Sequence, residues 1–196
     1  MKRSIDLLLG AAAVLALESC GGSPPLQTPI APSLPLIAVE CGVERWAVKT
    51  LTDVDAVRVD PLRVTPTTIS ALNTLAAHCS GLPDGRTFDE EFRVYEVVGI
   101  VQLARNETDH DVHLALADPN DVTKTMVVEV VDPACATAST FMTIFANTRL
   151  QYESLGSLGG RPVRVRGVGF YDFAHGQTGR SQSCIELHPV LSISTP

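Results

Sequence analysis

Aromatic residues make up only 5% of this 196-residue chain, with a single tryptophan, so surface for stacking is scarce. Basic residues are also few: 15 Lys and Arg stand against 22 Asp and Glu, for a net charge of -7 and a pI near 5.1. That balance disfavours a partner held mainly through phosphates, nucleic acid above all, because such binding needs a basic field. No apolar run reaches the roughly 20 residues of a spanning helix; the longest near the start is Leu7 to Leu17. No G-x-S-x-G elbow, phosphate-cradling glycine loop or H-E-x-x-H occurs, so the familiar hydrolase signatures are missing. No two cysteines stand in a C-x-x-C pair, which disfavours a cysteine zinc site.

What is present divides the chain into four parts. Lys2 and Arg3 before the short apolar run give residues 1–19 the layout of a secretory leader. Its end, Leu17-Glu18-Ser19-Cys20, resembles the lipobox of bacterial lipoproteins, which implies cleavage before Cys20 and acylation of that cysteine. Several acyl chains on Cys20 would anchor stably where one binds only marginally. Gly21 after the cysteine fits outer-membrane sorting. Residues 20–40 hold five prolines and almost no charge, and read as an extended tether. Residues 41–91 read as an N-terminal extension and 92–196 as the main domain.

Setting Cys20 aside leaves Cys41, Cys79, Cys135 and Cys184, an even number in an exported chain, which suggests two disulfides. Four cysteines allow three connectivities. Cys41–Cys135 with Cys79–Cys184 is favoured, because both bonds would tie the extension to later strands.

In the extension, Trp46, Val48 and the valines at 54, 57 and 59 suggest one or two short strands. Thr65-Pro66 reads as a helix N-cap followed by proline at the first helical position. Ile69, Leu72 and Leu75 then recur at helical spacing, with Gly81 ending the element. Lys49 and Asp53 are candidates for a surface pair. From residue 92 the pattern predicts a long strand to 104 bent at Gly99. Strands over 112–116 and 125–131, a helix over 137–151 and a closing pair of strands after Arg161 follow. Strand, strand, strand, helix, strand, strand is the order of the OB-fold, a five-stranded partly open barrel. The predicted class is therefore mainly β, an OB-fold-like barrel with one inserted helix and a strand/helix extension.

Period-two alternation places Asp111 with His113, and Glu186 with His188, on faces away from the apolar core; the second pair is expected on a non-core surface. The barrel order 1-2-3-5-4 puts Glu129 of the third strand between them. Asp172 and His175 fall in the loop between the fourth and fifth strands, one of the two loops through which OB-folds take ligands. Two histidines and several carboxylates have the composition of a divalent-metal site, with His113, His188, Asp111 and Glu186 as the ligand candidates. The same pairs equally suit cross-strand hydrogen bonds that pin the sheet's register. No cofactor is firmly implied; a divalent metal is only compatible with this residue set.

Residues 94–193 resemble a family of small exported bacterial OB-fold proteins. The likeness is carried by Asp111, His113, Glu129, Gly167, Asp172, His175 and the closing Glu186-Leu187-His188-Pro189-Val190. The segment Cys41–Asp53 resembles a lead-in of some such proteins. The closing motif of that family commonly has an aromatic before its acid, where this chain has Ile185. The resemblance implies fold and an extracytoplasmic location in the bacterial cell envelope, outer membrane facing the periplasm or cell surface, rather than an activity. Acidic pI, few aromatics and the absence of a catalytic motif favour a binding module, anchored through Cys20 and recognising a polymer, peptide or protein. The alternative is a metal-dependent hydrolase, phosphodiesterase-like, using the Asp/Glu/His cluster.

Overall fold

The computed structural model describes residues 41–196. The leader expected at 1–19, the lipidation site Cys20 and the tether to residue 40 lie outside the described residues. Among the described residues no helix is long and apolar enough to cross a membrane.

Five strands close into a barrel: β2 (Val94–Asn106), β3 (Val112–Ala117), β4 (Thr125–Val130), β5 (Pro162–Tyr171) and β6 (Ile185–Ser194). Their order is β2-β3-β4-β6-β5, and β2 pairs again with β5 to complete the ring. All barrel pairings are antiparallel except β4–β6, so the barrel is mixed. This is an OB-like barrel, with helix α3 (Met142–Ser154) between β4 and β5.

Strand β2 serves both sides of the closure. Residues Val94–Ile100 pair with β5 and Ile100–Asn106 with β3, so the partner changes beside Gly99. A Cβ on Gly99 would come within 2.8 Å of Leu116 Cβ and of Ile69 Cδ1, so only glycine lets the sheet curl this tightly there.

Alternation sorts the side chains into two layers. Val97, Val101, Val112, Leu114, Leu116, Met126, Val128, Val130, Val163, Val165, Ile185 and Leu187 fill the barrel. A second cluster lies outside it, where Leu51, Ala56 and Val59 of the extension and Phe145 of α3 meet Val94, Val131 and Val168. The extension is thus a cap over the outer face of the sheet.

The cap departs from its predicted secondary structure. Trp46–Lys49 is a short helix (α1) and Val54–Arg58 a 3-10 turn, where strands are predicted. Val54 and Val57 are 88% and 90% exposed, so their β-branched side chains report no sheet. Thr65-Pro66 lies in a strand, β1 (Val64–Pro66), parallel to β2. The helix cap is Thr68, whose Oγ1 accepts from Ala71 N–H, and α2 runs only Ile69–Asn73, well short of Gly81. Helix α3 starts five residues later than expected, after a series of turns through Phe141.

Covalent and ionic ties hold the cap down. Cys41–Cys135 and Cys79–Cys184 are bonded, the favoured pairing. Arg86 donates to the carbonyls of Val48 and Glu91 and pairs with Asp53 at 3.2 Å. Asp53 therefore partners Arg86, and the surface pair expected between it and Lys49 does not form.

Candidate functional site

The row of polar residues on the outer face follows directly from strand register. His113 on β3 stands opposite Glu129 on β4. Val128 pairs with Leu187, which sets Glu129 beside the Glu186–His188 stretch of β6, and Glu186 stands opposite Phe170 on β5. These side chains are off the barrel core, as alternation requires. They are not on a solvated surface, however: His113, Glu186 and His188 are buried. The correction has a physical cause. The cap covers much of this face, and a single strand's alternation cannot reveal that a distant segment lies over it.

Four of the residues form a chain of contacts. Asp111 Oδ1 accepts from Asp132 N–H at 2.7 Å, and Asp111 Oδ2 lies 3.3 Å from His188 Nε2. His188 Nδ1 lies 2.8 Å from Glu129 Oε2, and the other oxygen of Glu129 lies 3.0 Å from His113 Nδ1. The contacts of His188 are close in distance but lack hydrogen-bond geometry, leaving both its nitrogens and Asp111 Oδ2 without a hydrogen-bond partner. Glu186 belongs to a separate set of contacts. Gln177 Nε2 reaches both Glu186 Oε1 (3.4 Å) and Asp172 Oδ2 (3.5 Å), and His175 Nε2 bonds the same Asp172 oxygen at 2.9 Å. His175 sits at the solvent rim, its side chain 56% exposed.

Charge is sorted by burial and neighbours. Burial works against a charged His188, but Glu129 and Asp111 outweigh it and raise the pKa to about 9. Burial likewise opposes charging His113, and Glu129, the Thr178 carbonyl and Glu107 reverse the sign, so its pKa is raised. Burial would lift Glu129, yet His188, His113 and Lys49 hold it well below the usual carboxylate range. Glu186 goes the other way: burial, then the charges of Glu129 and Asp172, push it well above that range. Asp111 is also raised, because burial exceeds the help from His188 and Asp132. Paired environments that drive carboxyl groups apart mark candidate functional sites.

A cleft of about 650 Å³ opens over this face. Its walls include Arg105, Glu107, Thr108 and Asp109 at the β2–β3 turn, His113 and Glu129 on β3 and β4, and Asp172, His175 and Gln177 from the β5–β6 loop. Cys41–Glu44 and Lys49 of the cap form the remaining wall, with Glu186 at the side. Asp111 and His188 are not on the cleft wall; they back it from beneath.

Three participants were not singled out as site residues from sequence. Lys49 stands 5.5 Å from the Phe170 ring centroid. Burial lowers its pKa, and Glu129, Asp172, Glu186 and Asp109 together raise it further than that. Its only signal is membership of the Cys41–Asp53 lead-in. Glu107 sits inside Asn106-Glu107-Thr108, which reads as a chance glycosylation pattern and hides a carboxylate aimed at His113 (3.5 Å). Gln177 lies in a stretch that reads as loop punctuation.

Fold and site together define a mainly-β OB-like barrel with a capped acid–histidine face. Compared with known proteins, the chain matches no family model, and no curated protein is significantly similar to it.

Proposed function

We propose that the chain is an exported, lipid-anchored binding module that takes its ligand in the cleft between the β2–β3 and β5–β6 connections. The observation that supports this reading is coincidence of place: the cleft lies over the second and third barrel strands and the two loops that OB-folds use for ligands. Six carboxyl side chains, Glu44, Glu107, Asp109, Glu129, Asp172 and Glu186, line it against Lys49 and Arg105. Such a wall rejects polyphosphates and attracts amines and guanidinium groups. The ligand class is therefore a peptide or polymer segment bearing positive charge.

Titration with fluorescein-labelled oligolysine tests the ligand class. Saturable binding is expected, weakened by Glu107→Gln and Asp172→Asn but not by Asp121→Asn in an exposed turn outside the cleft. An acidic peptide or a single-stranded oligonucleotide of equal length should not bind. Equal loss in Asp121→Asn, or no binding at all, would sink the reading. For the address, the leader ending in the lipobox-like Leu17-Glu18-Ser19-Cys20 supports lipid anchoring in the cell envelope. Replacing Cys20 by Ser should abolish labelling with radioactive fatty acid, and unchanged labelling would refute the anchor.

A metal-dependent phosphodiesterase is the second reading. It is favoured by one observation, the convergence of Glu107, His113 and Glu129 on a common point open to the cleft. Hydrolysis of bis-p-nitrophenyl phosphate with added zinc or manganese separates it from the first.

A further inference from the structure

Glu107, His113 and Glu129 each bring one ligand atom within 4.8 Å of the other two. The chemistry at His113 fixes what that point can hold. Its Nε2 lies 3.0 Å from the carbonyl oxygen of Thr178. A carbonyl only accepts, so Nε2 carries a hydrogen, and Nδ1 is the nitrogen that would bind a metal once its own proton is displaced. That nitrogen faces Glu129 Oε1 at 3.0 Å and Glu107 Oε1 at 3.5 Å, both of them acceptors. Arg105 Nε also reaches Glu107 Oε1, at 2.8 Å, so a metal here would take the place of the His113 Nδ1 proton between two carboxylates, one of them already held by Arg105. Histidines that bind metals give their second ring N–H to a carbonyl or carboxylate, as His113 does to Thr178. Donors on a tetrahedral zinc with bonds of about 2.0–2.1 Å stand about 3.3 Å apart, and the two observed separations bracket that spacing.

The surroundings separate this group from an ordinary acidic surface. The side chains of His113 and Glu129 are 3% and 12% exposed, while Glu107, at 30%, closes the group on the solvent side and gives an ion a way in. Asp172 belongs to the same cleft but not to the converging donors. It is 4% exposed, and its Oδ1 has no hydrogen-bond partner. Behind Glu129, His188 steadies the carboxylate through Oε2 and leaves Oε1 for the point.

We propose that Glu107, His113 and Glu129 are a three-ligand site for a divalent transition ion of the zinc class, with its fourth position facing the cleft. This differs from the ligand set suggested by sequence spacing. His188 and Asp111 lie beneath the cleft wall, and Glu186 belongs to neither group of converging donors. An imidazole with two carboxylates suits zinc, cobalt or nickel, whereas calcium and magnesium favour all-oxygen shells. The proposal rests on the binding-module reading only in treating the cleft as open to solvent.

The test uses the purified full chain, dialysed against chelator and then titrated with zinc by calorimetry, with the cobalt absorption spectrum as a second readout. One zinc per chain is expected, undisturbed by millimolar calcium or magnesium. Glu107→Gln and His113→Gln should each lose that stoichiometric binding. His175→Ala, at the rim but outside the three, should keep it. Glu107 is partly exposed at a strand end, so Glu107→Gln stays informative should His113→Gln fail to fold, which circular dichroism reports. A folded wild-type chain that takes up no zinc overturns the proposal, as does zinc binding unchanged in Glu107→Gln. Zinc that survives both substitutions and disappears in His188→Gln would move the ion to Asp111, Glu129 and His188 and overturn this assignment. Oligolysine binding by the chelator-treated chain keeps the two readings apart. If it persists while zinc fails, the metal site alone is wrong; if zinc binds and oligolysine does not, the ligand class alone is wrong.

Discussion

Arg45 and Glu91 form an ion pair, Nη2 to Oε1 at 2.7 Å, with both side chains at or below 1% exposure. Each is satisfied beyond the pair. Arg45 donates to the carbonyls of Tyr171, Pro83 and Gly85, and Glu91 accepts from the N–H groups of Thr87, Phe88 and Tyr171. The pair fastens the cap to the end of β5, where the loop bearing Asp172 begins. Arg45 also takes a left-handed backbone conformation, φ 48°, to reach it.

Removing one member leaves the other charge buried and alone. Glu91→Ala or Arg45→Ala should each cost about 3–5 kcal/mol in urea unfolding. The double variant should cost less than the sum, since neither stranded charge then remains. Additive losses would show that the two residues do not act as a unit.

Both disulfides bridge long stretches of chain, 94 and 105 residues apart. Cys79→Ser with Cys184→Ser should lower stability by about 2–4 kcal/mol. Thiol titration of the denatured, unreduced protein should find none of Cys41, Cys79, Cys135 and Cys184 free. Recovery of four reactive thiols would contradict the structure.

Asp118 provides a pH prediction away from the cleft. Its Oδ2 accepts from Ser70 N–H at 2.8 Å and its Oδ1 from Asn120 N–H at 2.9 Å, satisfying the first turn of α2. Burial would raise its pKa, but these backbone donors win and the pKa is lowered. A depressed carboxyl pKa stabilises the fold above the unfolded value, near 3.9, and that stability is lost as pH falls through the folded value. Asp118→Ala should therefore cost about 1–3 kcal/mol at pH 7 and much less near pH 2. Equal losses at both pH values in urea melts would rule this out.

Gly169 faces the backbone of the cap. A Cβ there would stand 2.3 Å from the Glu90 carbonyl oxygen, and backbone cannot give way as a side chain can. Gly169→Ala should cost about 1–3 kcal/mol and loosen the cap, seen as faster hydrogen exchange at Glu91–Arg93. Wild-type stability would show that the cap does not lie this close.

The barrel is legible in the sequence because its strands report their own inner face. Val112, Leu114 and Leu116, then Met126, Val128 and Val130, alternate cleanly, and all six are buried. Residues 111, 113, 129, 186 and 188 are legible as one neighbourhood because barrel order and period two suffice to place them. The cap is not legible. Val54 and Val57 sit in a 3-10 turn, and the cap is held by Arg45, Arg86 and two disulfides, whose partners lie 5 to 126 residues away. For the same reason no local pattern shows that His113 and Glu186 are covered, or that Lys49 reaches Phe170 from across the cleft.

The route by which β2 shares its length between β3 and β5 has a consequence in time. Ile100–Asn106 can pair with β3 as soon as the neighbouring residues are available, but Val94–Ile100 must wait for Pro162–Val168. Folds dominated by such distant pairings form in milliseconds to seconds rather than microseconds. Arg45 waits longer still, since the carbonyl it bonds belongs to Tyr171. In a chain synthesised from its N-terminus, the first described segment cannot complete its bonds until Tyr171 has been made, so the wall over the acid–histidine face depends on the far end of the barrel.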